Sequence, residues 1–117
     1  MRRYPGLTFV VAHLGAPDFE RYFDLLGLYE NLFLDTTMVF TGFHPWTPRI
    51  NGLIEHQDRI IYGSDYPNLP YHLTRGVRGV LALELGSGIE DKIIYSNAAR
   101  LLGIEPPPRR RALRPEA

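Results

Sequence analysis

The segment Arg59-Ile60-Ile61-Tyr62-Gly63-Ser64-Asp65-Tyr66-Pro67 leaves the chain few choices of fold. A short apolar run of β-branched and aromatic residues, bounded by turn signals, reads as a buried strand. Gly63 and Ser64 have little bulk, so backbone or ligand can come close where the run ends. Pro67 has no N–H and cannot continue a ladder. Asp65 is therefore expected on the last rigid residue before a loop. Parallel α/β proteins carry their chemistry at that point. A carboxylate there serves either a reacting centre or the cap of the following turn, and position alone fits both.

The same pattern occurs twice more. Residues 7–12 (Leu-Thr-Phe-Val-Val-Ala) are almost continuously apolar, as expected of a strand covered on both faces. His13-Leu14-Gly15-Ala16-Pro17 ends it, and Pro17-Asp18 opens a helix. Phe19, Tyr22, Phe23, Leu26 and Tyr29 then form one apolar stripe at helical spacing. Residues 32–35 (Leu-Phe-Leu-Asp) make the next strand, and residues 41–46 the loop after it. Thr47-Pro48 reads as a cap and first-turn proline for a short helix bearing Ile50, Leu53 and Ile54, which Gly52 weakens. A helix is expected over residues 71–85 despite Gly76 and Gly79. Another is expected to begin at Glu90, restart near Ser96-Asn97 and end at Gly103 as a C′ residue. Strands starting at 7, 32 and 59 are spaced like repeated βαβ units, which take about 30 residues each. The body is thus a run of parallel βα units with right-handed crossovers.

Composition sets the limits. At 117 residues the chain is one domain at most, with 44% hydrophobic residues to build a core. The formal net charge is zero, so no global field draws it to nucleic acid or membrane. Cysteine is absent, which excludes disulfides and Cys-based zinc sites. No apolar run is long enough to span a bilayer, and the N-terminus lacks the apolar core of a signal peptide. A cytoplasmic location is expected. Residues 105–117, rich in proline and with four arginines, read as a disordered tail rather than a nucleic-acid contact.

In a parallel sheet all strands end on one edge. His13, Asp35 and Asp65 close the successive strands, so an imidazole and two carboxylates can converge there. His and Asp suit a divalent metal such as zinc, whose bound water becomes a nucleophile near neutral pH. They also suit proton transfer. Each has a structural alternative. His13 could be a core histidine bonded to a carbonyl, Asp35 could hold loop amides, and His44 with Trp46 could be loop packing rather than a pocket wall. His56 and His72 are expected in solvent. Gly-Ser-Asp is no nucleophile elbow, and no Gly-rich phosphate loop is present.

Four segments together resemble the amidohydrolase-related, metal-dependent hydrolases, whose relatives include the aminocarboxymuconate-semialdehyde decarboxylases. They are residues 5–15 around Ala-His-Leu-Gly, residues 32–37 (Leu-Phe-Leu-Asp-Thr-Thr), residues 58–67 around Tyr-Gly-Ser-Asp-Tyr-Pro, and residues 93–103 with Asn-Ala-x-Arg-Leu. The resemblance implies an α/β fold: the C-terminal three parallel βα units, strands six to eight, plus the closing helix of a (β/α)₈ TIM barrel, over residues 1–104. It implies that Asp65 is the metal ligand and activates water, and that His13 is a catalytic acid/base. His44 and Trp46 are assigned to substrate binding.

The resemblance also marks what this chain lacks. A full barrel takes about 250 residues and eight strands. The family's first-strand His-x-His pair and fifth-strand metal histidine have no counterpart here. The expected function is therefore that of the C-terminal part of a metal-dependent hydrolase or non-oxidative decarboxylase. It would act on a small carboxylated or cyclic substrate. A divalent metal, zinc first, would be held in the intact assembly and weakly or not at all by this chain alone. Expected partners are the substrate and either a missing N-terminal half or further copies of the chain. The alternative is a non-catalytic remnant that serves as an oligomerisation or interaction module. Open strand edges would favour such association.

Overall fold

The computed structural model describes Met1 and residues 3–105. The expected tail lies outside the described residues except for Glu105. Three strands form one sheet in the order β1-β2-β3: β1 is Phe9–Val11, β2 is Leu32–Asp35 and β3 is Ile60–Ile61. Both pairings are parallel. Val11 sits opposite Leu34 in one, and Asp35 opposite Ile61 in the other. The parallel sheet read from the strand spacing is therefore present, and its three carboxyl ends share an edge.

The central strand shows why these residues form a sheet. Leu32 and Leu34 are fully buried and Phe33 nearly so, because β2 is covered on both faces. The outer strand differs from expectation. β1 is only three residues long, and Val10 and Leu7 are 45% and 54% exposed. It is an edge strand, covered on one face only. β3 is shorter still, and the backbone leaves the ladder at Tyr62, whose N–H donates to the Ile93 carbonyl at 2.8 Å. Asp65 accordingly stands four residues beyond the strand, not on its last rigid position.

The helix α1 (Phe19–Leu28) follows β1 and buries Phe23 and Leu26 as its stripe requires. Its C-terminal carbonyls are met by Arg59, whose guanidinium donates to Tyr29 O at 2.6 Å and also to Leu26 O. This cation closes the helix where its dipole is negative. Between β2 and β3 lies α2 (Ile50–Glu55), which begins two residues after Pro48. His56 is not free in solvent: it is half-buried and stacks on Phe23, ring centroids 5.9 Å apart. His72 is exposed, as expected.

After β3 the helix α3 is shorter than its periodicity suggests, Arg75–Leu81, and only Val80 of its apolar face is fully buried. Gly79 is in this helix because nothing larger fits. A Cβ there would lie 1.6 Å from the Phe40 carbonyl oxygen. The last helical stretch is continuous: α4 (Ser87–Asp91), one π-turn (Lys92–Ser96) and α5 (Asn97–Leu102), ended by Gly103 at φ 69°. It docks on β3 through Asn97, whose Nδ2 donates to Gln57 O at 2.6 Å and Ile60 O at 2.9 Å. Among the described residues, no helix is long and apolar enough to cross a membrane.

Candidate functional site

The site is built from the segments that leave the carboxyl edge: residues 12–18 after β1, 36–49 after β2 and 62–74 after β3. Parallel pairing with β2 in the middle puts the first and third segments about 10 Å apart, twice the interstrand spacing.

The first segment turns sharply at its start. His13 and Leu14 adopt left-handed backbone conformations, φ 61° and 51°. Such angles cost a non-glycine residue on the order of 1 kcal/mol or more. Leu14 is fully buried and anchors the turn. His13 is half-buried, and its Nδ1 bonds the Thr37 carbonyl at 2.7 Å.

The second segment carries Asp35, Thr37, His44 and Trp46. Asp35 Oδ1 accepts the His13 backbone N–H at 3.3 Å and the Thr37 N–H at 3.0 Å. The carboxylate therefore holds loop amides rather than facing outward. Trp46 stands beside His13, with ring centroids 5.6 Å apart, and stacks on His44 at 4.2 Å. Phe43 packs edge-on against His44 at 4.9 Å and reaches Tyr71 at 6.0 Å. Arg75 lies over the Tyr71 ring at 5.6 Å. A continuous row of rings thus crosses the rim from His13 to the start of α3. Sequence reasoning singled out His13, His44 and Trp46 separately; the fold brings them into one cluster.

The third segment carries Asp65. Its side chain is exposed and its backbone is left-handed, φ 62°. It opens a turn in which Ser64 Oγ accepts the Tyr66 N–H at 3.1 Å and Asp65 O accepts the Asn68 N–H at 2.8 Å. Upstream, Gly63 passes directly over the second segment. A Cβ on it would be 2.4 Å from Thr37 Oγ1 and 3.4 Å from the Asp35 carboxyl carbon. Tyr62 packs beneath α3, where burial, with the nearby Tyr71, pushes its phenol above its ordinary range. Two grooves flank the ring cluster. One of about 540 Å³ is lined by Pro70, Tyr71, His72, Thr74, Arg75 and Arg78, and one of about 430 Å³ lies between residues 17–21 and 47–49.

Chemically, the rim offers an imidazole beside an aromatic wall and a solvent-accessible carboxylate across the sheet edge. That pair can move protons. It does not make a metal centre alone. Among the described residues, no three His, Cys, Asp or Glu side chains gather to hold a metal ion. Asp35 Oδ1 and His13 Nδ1 are already engaged. A catalytic zinc takes three protein ligands, and this donor set falls short.

Comparison with known proteins agrees with this architecture. The Amidohydrolase family model matches residues 1–104. Among solved structures, the crystal structure of an uncharacterised TIM-barrel protein, Bb4693 from Bordetella bronchiseptica, superposes with a TM-score of 0.69 at 26% identity. The match covers 87% of this chain and 36% of that one, so the chain spans well under half of that relative's length. No curated protein matches.

Proposed function

The chain belongs to the amidohydrolase family, and we propose that it supplies one arc of the rim of a metal-dependent hydrolase or non-oxidative decarboxylase. The observation that carries this reading is the shared edge. His13 and Asp65 follow the parallel strands that flank β2 on either side, β1 and β3, and both lie beyond the carboxyl ends of those strands, with Trp46 and His44 beside the imidazole. In this reading the substrate is a small carboxylated or cyclic molecule, of the kind handled by proteins similar to aminocarboxymuconate-semialdehyde decarboxylase. His13 exchanges protons with it, Asp65 takes a proton from the attacking water, and His44 and Trp46 form its wall. Because the donor set among the described residues is incomplete, zinc would depend on ligands from a further segment. A cytoplasmic location belongs to the same proposal and rests on the sequence alone.

The test is to isolate the chain from its native source with whatever polypeptide accompanies it. The isolate is assayed against cyclic amides and against small unsaturated carboxylic acids, scoring ring opening and carbon dioxide release. Turnover lost in His13→Gln and in Asp65→Asn is the expected result. Turnover unchanged in both variants would contradict the assignment.

One observation favours a second reading. Val10 on the edge strand and Leu7 just before it are 45% and 54% exposed, so the chain presents apolar surface at an open sheet edge. A non-catalytic interaction or oligomerisation module would form a stable metal-free oligomer. Sedimentation of the purified chain with zinc analysis of the same peak separates the two readings.

A further inference from the structure

We propose that Asp35 is the positioning residue for His13, and that it acts by fixing which imidazole nitrogen carries the proton. A peptide carbonyl can only accept a hydrogen bond. At 2.7 Å from Thr37 O, Nδ1 of His13 must therefore be the donor. In the neutral ring that leaves Nε2 bare, as the nitrogen able to accept a proton. A free imidazole side chain prefers the opposite tautomer, so the arrangement has to be imposed.

Asp35 imposes it from both ends. One carboxylate oxygen accepts the backbone N–H of His13, which carries the ring, and the N–H of Thr37, whose carbonyl receives the ring's proton. Bonds from amides to an ionised oxygen are the stronger kind. They hold the His13-Leu14 turn in its left-handed conformation, a state that persists only where its surroundings over-determine it. Gly63 completes the enclosure. The third segment runs so close over Thr37 that a methyl group on Gly63 would collide with its hydroxyl, and the same methyl would just touch the Asp35 carboxylate at 3.4 Å.

The significance of this clamp rests on the reading of His13 as a proton-transferring group, but its test does not. Nitrogen NMR of the histidine rings in the full chain, at a pH where His13 is neutral, reports the tautomer directly. The wild-type chain should show Nδ1 protonated and Nε2 shifted downfield to the unprotonated position. Asp35→Asn, which keeps an oxygen in place, should retain that pattern. Asp35→Leu, which removes the acceptor, should move the proton to Nε2. If the Leu variant does not fold, amide exchange in the wild type still decides, since His13 and Thr37 should both be protected. A wild-type ring protonated on Nε2, a folded Leu variant with an unchanged tautomer, or unprotected amides at both residues would overturn the proposal. Loss of turnover in His13→Gln bears on the proposed function, so either statement can fail without the other.

Discussion

The indole of Trp46 lies nearly flat against the imidazole of His44, with ring centroids 4.2 Å apart and planes 19° apart. This stack ties the loop after β2 to the rim, because Trp46 also meets His13 and His44 also meets Phe43. Trp46 is the only tryptophan in the chain, so its emission reports this contact without interference. His44→Ala should shift that emission to the red as water reaches the indole face. It should also cost about 0.5–1.5 kcal/mol of stability, the usual worth of an aromatic pair. Fluorescence during denaturant unfolding measures both.

The contact between α3 and the loop after β2 depends on a missing methyl group. A Cβ at Gly79 would overlap the Phe40 carbonyl, whereas one at Gly88 would meet nothing within 4 Å. Gly79→Ala should therefore destabilise the chain by about 1–3 kcal/mol, as overpacking does. Gly88→Ala, in α4, should stabilise it by about 0.4–1 kcal/mol. Thermal unfolding of the two variants side by side checks the sign of each.

Asn97 is fully buried and gives both amide hydrogens to backbone carbonyls, Gln57 O and Ile60 O. Replacing it by alanine leaves those acceptors without donors at a cost of about 1–3 kcal/mol each where they stay dry. Asn97→Asp should be no better, because an ionised carboxylate has no hydrogen to donate. Urea midpoints for both variants should fall well below that of the wild-type chain.

Acid should weaken the fold through carboxylates held below their ordinary range. The Lys92 ammonium, bonded to Asp58 at 2.8 Å, lowers the Asp58 pKa, and the Arg49 guanidinium does the same to Glu20. A depressed folded-state pKa adds stability that is fully present above the unfolded value. That stability is lost as pH falls through the folded value. The loss therefore belongs below about pH 4. Both pairs are largely exposed, so the effect is small: below that point the melting temperature of Asp58→Asn should fall slightly less steeply than that of the wild-type chain.

Much of the architecture is legible in the residues. Alternation between short apolar runs and helical stripes gives three parallel βα units, and Leu32 to Asp35 reads as a strand because both its faces are apolar. Two kinds of feature escape. The first is contact at a distance: nothing near Arg59 in sequence says that its guanidinium closes a helix ending about thirty residues earlier. Gly79 likewise reads as a helix weakener until Phe40 is seen against it. The second is backbone conformation. Asp65 sits in a turn beyond β3 rather than on the strand, and His13 turns left-handed immediately after β1. Neither residue is glycine, so the sequence carries no local signal for either bend. His13, Asp35 and Asp65 can be placed at or beyond the strand ends from the sequence, whereas the hold of Asp35 on two amides depends on the shape of the loop after β2.

A single spin label gives the sharpest check on the shared edge. The chain has no cysteine, so Asp65→Cys creates one labelling point at the rim. Paramagnetic broadening of amide signals should be strong at His13, Thr37 and Gly63 and weak at Phe9, Asn31 and Asp58 on the far side of the sheet. Broadening centred on Phe9 and Asn31, with His13 untouched, would put the imidazole and the carboxylate at opposite ends and contradict the whole arrangement.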